Sequence, residues 1–296
     1  MIKTPVFTGA CTAIITPFDE KGIDFERLKK NLNFQYENGI AAVVVAGTSG
    51  ESPTLSENEY EELVRFTVRE VNGKMKVIAG IGSNNTSLAL RKAEDAKFLG
   101  ADAILMLSPY YNKTNTAGLI EHFSYVADRV NIPMILYNVP SRTGIGISAD
   151  IYKELSQHPN INGVKEASGD ISLTAKTIAS CGDMLNIWSG NDDNTIPMMA
   201  LGAKGVISVA SNIIPAVVNK ICSLCLETDF KAATELYSKY SSLMSALFIE
   251  TNPIPIKTAM KLLDTDSGKL RLPLSNISED NMAILRSKMR DAGLNV

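Results

Sequence analysis

A lysine ends a short apolar run at position 165, and its surroundings decide what an amine there can do. Residues 161–170 read Ile-Asn-Gly-Val-Lys-Glu-Ala-Ser-Gly-Asp, a strand that breaks into a turn of small residues. With no helix face to lie along, the Lys165 side chain either reaches solvent in an ordinary surface ion pair or is put to use. A partly desolvated ammonium loses its proton more easily, and the neutral amine attacks a carbonyl to form a Schiff base.

A phenol stands one β-α-β unit upstream. Tyr137 precedes Lys165 by 28 residues. Strand alternation from Ile135 to Tyr137, and from Gly163 to Lys165, points both side chains the same way at a similar level. Forming and dehydrating a carbinolamine requires protons to be delivered and removed, which tyrosine can relay. Taken alone, Tyr137 is equally a strand aromatic that fills a core.

Gly47-Thr48-Ser49-Gly50 offers small residues, two hydroxyls and exposed backbone N–H groups on one turn, a combination suited to a carboxylate. It is also a common loop composition. Arg142, five residues past Tyr137, carries a planar fork that can hold a carboxylate bidentately, or can simply face solvent. Asp192 and Asp193 resemble metal ligands. They also open the next helical stretch, where carboxylates complement the helix N-terminus, and no histidine–carboxylate set accompanies them; no metal is expected. His122 lies in a helical stretch and His158 precedes Pro159, neither with catalytic partners. Cys222 and Cys225 have C-x-x-C spacing, but with no strand before them and no second pair they read as core or surface thiols.

The scaffold must bring these residues together. Strand-like runs are expected at 11–16, 41–46, 76–81, 103–107, 133–138, 161–165, 186–189 and 205–209. Amphipathic helical stretches lie between them at 24–38, 56–71, 86–99, 116–129, 148–157, 170–180, 192–201 and from 213 onward. Ser56 with Glu59 reads as a capping box, and Gly39, Gly100 and Gly202 as helix ends. Eight strand–helix units imply an α/β fold, a (β/α)8 TIM barrel over residues 1–226. An open doubly wound sheet would place a glycine-rich phosphate turn after the first strand, where Thr16-Pro17-Phe18-Asp19 stands instead. Only helices are expected afterwards, at 229–249, 255–263 and 278–292, giving a C-terminal all-helical extension over 227–296. In such a barrel the chemistry gathers where strands end, which is where Thr48, Ser49, Tyr111, Tyr137, Arg142, Lys165 and Gly190 fall.

Charged residues make up 21% of the chain and the formal net charge is −3, with no basic run, so nucleic acid and anionic membranes are not expected partners. No apolar stretch reaches membrane-spanning length, and Pro17 and Asp19 interrupt the N-terminal apolar run before a secretion signal forms. Four scattered cysteines make no disulfide framework, and a cytosolic protein is expected.

In order, GTSGES at 47–52, SPYYN at 108–112, YNVPSRTG at 137–144, GVKEASGD at 163–170 and NPIP at 252–255 form a specific set. Together with LRLP at 270–273, they make essentially the whole chain resemble the Schiff-base-forming, pyruvate-dependent aldolase and lyase family. The resemblance implies that Lys165 condenses with pyruvate to an enamine, while Tyr137, Thr48 and Tyr111 form a hydroxyl relay, Tyr111 serving the adjacent subunit. It implies that Thr48 and Ser49 hold the pyruvate carboxylate, that Arg142 receives the carboxylate of L-aspartate 4-semialdehyde, and that Gly190 and Ile207 flank the site. The product would be the cyclic precursor of diaminopimelate and lysine. No cofactor is implied, and the assembly implied is a homotetramer, a dimer of tight dimers. Members acting on N-acetylneuraminate or 2-keto-3-deoxy sugar acids keep the lysine and tyrosine but differ in the loop carrying Arg142. A non-catalytic barrel sensing metabolites is the reading from another class; it would leave Lys165 without a trapped pyruvate adduct.

Lysine-inhibited members have a pocket at positions matching Ser52, Pro53, Glu57, Tyr60, Asn84, Leu88 and Tyr110. Here Leu88 stands where a carboxylate would meet the inhibitor's ammonium, and Tyr60 where a histidine often stands. Weak or absent feedback by L-lysine is expected.

Overall fold

The strand runs consist of small, aliphatic and β-branched residues that tolerate burial on both faces, as parallel strands covered by helices must. Residues 42–45, Ala-Val-Val-Val, are buried throughout. In the computed structural model, which describes residues 2–296, the strands are β1 (Gly9–Ala13), β2 (Ala42–Val45), β3 (Lys76–Gly80), β4 (Ala103–Leu107), β5 (Met134–Asn138), β6 (Ile161–Glu166), β7 (Asn186–Ser189) and β8 (Gly205–Ser208). They pair in parallel in chain order, and β8 returns to β1 to close the barrel. Closure needs a glycine: a Cβ on Gly205 would lie 1.8 Å from the Gly9 carbonyl oxygen.

The helices are α1 (Phe25–Glu37), α2 (Glu57–Val71), α3 (Thr86–Phe98), α4 (Thr116–Arg129), α5 (Pro140–Thr143), α6 (Ala149–Leu155), α7 (Ile171–Cys181), α8 (Thr195–Ala200), α9 (Pro215–Leu226), α10 (Phe230–Ala246), α11 (Ile254–Leu262) and α12 (Glu279–Asp291). Side-chain caps fix where several begin. Asp24 accepts from the Arg27 amide, Asn115 from Gly118, Asp170 from Leu173, and Ser56 with Glu59 completes the capping box. Each such cap contributes about 1 kcal/mol. Helices α10 to α12 bury Leu243, Ile256 and Leu285 in the same apolar layer that joins the strands to their covering helices.

The structure departs from the sequence reading at three places. The first strand lies at Gly9–Ala13 rather than 11–16, because its ladder with β8 starts at the Gly9–Gly205 pair. Arg142 sits on the four-residue helix α5, which was not expected. The stretch 192–201 is a 3-10 turn, Asp192–Asn194, followed by α8. The Asp192 carboxylate caps neither; its Oδ2 accepts from the amides of Val209 and Ala210 at 3.1 and 3.0 Å. The β7–β8 seam has a single register pair, Ser189 with Val206, and Asp192 straps it from above. Burial raises its pKa above the usual carboxylate value.

Candidate active site

Tyr137 and Lys165 are register partners across β5 and β6. Lys165 is 5% exposed, and its Nζ lies 4.4 Å from the centroid of the Tyr137 ring. The space below them is filled. A Cβ on Gly163, two residues before Lys165, would come within 2.6 Å of the Trp188 ring. Trp188 in turn stacks on Phe7 with centroids 4.9 Å apart, and its Nε1–H donates to the Phe7 carbonyl at 3.2 Å. A packed floor leaves the barrel mouth as the approach to the amine.

The outward faces of the same strands lock this register. Asn138 pairs with Glu166, one step beyond Tyr137 and Lys165. The buried Glu166 carboxylate accepts from Asn138 Nδ2 at 3.1 and 3.0 Å, from the Tyr152 hydroxyl at 2.8 Å and from the Ser168 amide at 2.8 Å. Burial, and then the Glu166 charge, push the Tyr152 pKa well up, so its hydroxyl stays a donor. A one-residue slip would break this network and turn Lys165 outward.

Gly190 borders Lys165. A Cβ on Gly190 would lie 3.1 Å from both Cγ and Cε of Lys165. Ile207 is fully buried in the interior cluster that holds Tyr137 and Trp188.

The loop after β2 is held from the C-terminal helices. Ser49 is 1% exposed, and its Oγ accepts from Asn252 Nδ2 at 3.0 Å. The Asn252 backbone carbonyl accepts from the Arg142 guanidinium at 3.0 Å, while the rest of Arg142 is exposed. Glu51, at φ +52°, is buried; it accepts from Lys257 Nζ at 2.8 Å and from the Arg271 amide at 3.0 Å. Lys257 is itself completely buried and donates further to the carbonyls of Thr16 and Lys269.

Two relay candidates stand apart from this set. Thr48 is half-buried, and among the described residues its side chain makes no hydrogen bond to Tyr137. Tyr111 is 91% exposed at φ +66°, on a loop whose Asn112 donates to the Asn84 carbonyl at 2.9 Å.

Sequence reasoning used Asn252 only as part of a motif and did not single out Glu51 or Lys257 as partners. The motifs contained Glu51 and Asn252, with Lys257 two residues past the second, but nothing in a linear chain ties residue 51 to 257. The remaining titratable candidates lie elsewhere. His122 meets Thr86 at 2.8 Å and burial lowers it to about 4. His158 pairs with Asp128. Burial lifts Cys225 to about 11 and Cys222 further, so both thiols are unreactive at neutral pH.

A closed (β/α)8 barrel with a buried lysine beside a tyrosine at its mouth has the constitution of a Schiff-base-forming lyase. The sequence matches the model of the dihydrodipicolinate synthetase family over residues 6–292, and the chain belongs to that family. It is 46% identical over 291 residues to a 4-hydroxy-tetrahydrodipicolinate synthase of a Thermoanaerobacter species, covering 98% of each chain. The crystal structure of dihydrodipicolinate synthase from Aquifex aeolicus superimposes with a TM-score of 0.96 at 43% identity, covering 97% of this chain and 99% of the other. A chloride-inhibited dihydrodipicolinate synthase from Acinetobacter baumannii, solved in complex with pyruvate, gives 0.96 at 37% identity over 98% and 100%.

Proposed function

We propose that this enzyme, a lyase, condenses pyruvate with L-aspartate 4-semialdehyde, the 4-hydroxy-tetrahydrodipicolinate synthase reaction named for its relatives, supplying the cyclic precursor of diaminopimelate and lysine. The observation that carries the reading is the buried amine of Lys165 set 4.4 Å from the Tyr137 ring centroid.

In this reading the neutral Lys165 amine attacks C2 of pyruvate, and the carbinolamine loses water to give an iminium. Tyr137 relays the protons, with Thr48 and Tyr111 as further hydroxyls. The iminium draws electrons from C3, loss of a C3 proton gives the enamine, and the enamine attacks the aldehyde carbon of the second substrate. The amino group of that substrate then adds to the iminium carbon, expels the lysine amine and closes the ring. The protonated imine is the electron sink, so the scheme uses no metal or cofactor. Ser49 and Thr48 hold the pyruvate carboxylate, Arg142 the carboxylate of the aldehyde, and Gly190 and Ile207 shape the walls.

The exposed Tyr111, held in a left-handed conformation, supports a role across an interface with a second copy, within a homotetramer built as a dimer of tight dimers. We read residues 1–226 as the catalytic barrel and 227–296 as a helical domain that braces it, and place the enzyme in the cytoplasm. Among the described residues no helix is long and apolar enough to cross a membrane. A coupled assay comparing L-aspartate 4-semialdehyde with sugar aldehydes tests the substrate. Turnover of the amino aldehyde that collapses in Arg142→Ala is expected, and preference for a sugar aldehyde would overturn the reading.

A further inference from the structure

Asn252 lies outside the barrel strands, on the segment that leads into α11, yet it touches both loops to which the proposed function assigns the substrate carboxylates. Its side-chain amide donates to Ser49 Oγ and its backbone carbonyl accepts from Arg142, each at 3.0 Å. It is 5% exposed and Ser49 1%, so the bond between them is shielded from competition by water. One turn further on, Lys257 holds Glu51 at the far end of the same loop. The helical segment therefore grips the β2 loop at residues 49 and 51 and the β5 loop at residue 142.

We infer that Asn252 is a positioning residue that sets the Ser49 hydroxyl, and with it the pyruvate subsite, in register with Arg142. The physical reason lies in how hydroxyls choose partners. A serine Oγ can rotate among several acceptors and donors. A fixed N–H aimed at its lone pair leaves the Ser49 proton free to point at an incoming carboxylate. Without that donor the hydroxyl has a choice of rotamers, and the substrate must select one. The side chain of Asn252 governs Ser49 and its backbone governs Arg142, so a side-chain change separates the two effects. This inference rests on the proposed function for the roles of Ser49 and Arg142.

The test is steady-state kinetics with each substrate varied in turn, on wild type, Asn252→Ala, Ser49→Ala and the double variant. Melting temperature and borohydride trapping with pyruvate are recorded for each. Loss of one neutral hydrogen bond corresponds to roughly a three- to tenfold change. Asn252→Ala is expected to raise KM for pyruvate by that factor, to shift KM for the aldehyde less, and to add less than about twofold when Ser49 is already alanine. Asn252→Asp, which keeps the volume but replaces the donor with an anion, is expected to raise KM for pyruvate at least as far. Effects that add fully in the double variant would overturn the inference, as would a pyruvate KM within about twofold of wild type in Asn252→Asp. A melting temperature that falls while both KM values stay put would also overturn it, because Asn252 would then act on stability alone. If wild type itself forms no trapped pyruvate adduct, the proposed function fails instead, a result that these comparisons do not produce.

Discussion

Tyr137 and Lys165 face each other as one register pair of a parallel barrel, with the Lys165 nitrogen 4.4 Å from the phenol ring's centroid. The ring packs against the amine whether or not it bears a hydroxyl, so packing and proton transfer can be separated. Tyr137→Phe should keep the melting temperature within a few degrees and lower kcat by about 10²–10⁴-fold, the usual span of general acid–base catalysis. An unchanged kcat would remove Tyr137 from the relay.

Gly190 leaves no space for a side chain. Its Cβ would lie 2.6 Å from Ala167 Cβ and 3.1 Å from two carbons of Lys165. Gly190→Ala should cost about 1–3 kcal/mol through overpacking and slow formation of the pyruvate adduct by displacing the amine. Denaturant unfolding and timed borohydride quenching measure the two effects.

The Lys257–Glu51 pair is buried on both sides, with side-chain exposures of 0% and 1%. Lys257→Met would leave the Glu51 carboxylate without its cation in the interior, a loss of about 3–5 kcal/mol. Adding Glu51→Gln should recover part of it. A Lys257→Met protein with an unaltered denaturation midpoint would show that the pair does not bear on stability.

Acid sensitivity follows from Glu59. The hydrogen-bonded Arg271 guanidinium, together with the Ser56 amide, holds its pKa down at about 2 against opposing burial. Because the folded pKa lies below the unfolded one, this contribution is complete above about pH 4.3 and is lost as pH falls toward 2. Arg271→Ala should therefore move the acid-unfolding midpoint to higher pH. An unchanged midpoint would contradict the assignment.

Leu88 follows the Asn85 cap of α3, and Tyr60 nearby is 2% exposed with its hydroxyl 3.4 Å from the Lys92 carbonyl. The neighbouring carboxylate, Glu57, is paired with Arg91. With no carboxylate at position 88 to meet an ammonium, L-lysine should bind weakly or not at all. Calorimetry showing micromolar binding would refute this.

The barrel was legible because its signals are local. Residues 103–107 form an apolar run bounded by Asp102 and Ser108-Pro109, and the strand has those limits. Side-chain alternation alone placed Tyr137 beside Lys165. What escaped the sequence is long-range or unusually short. Gly9 looks unremarkable until its backbone meets Gly205. Helix α5 spans four residues, too few for a periodicity. Asp192 resembles a helix-opening carboxylate until the amides of Val209 and Ala210 come to it, and Asn252 reaches Ser49 across 203 residues of chain.

The central claim is that Lys165 is the nucleophile. It is tested most directly by reducing the enzyme with borohydride in the presence of pyruvate and mapping the modified peptide by mass spectrometry. One reduced pyruvate on Lys165, absent without pyruvate and absent in Lys165→Ala, is the expected result. An unmodified Lys165 in protein that still turns over substrate, or an adduct on Lys257 instead, would contradict it.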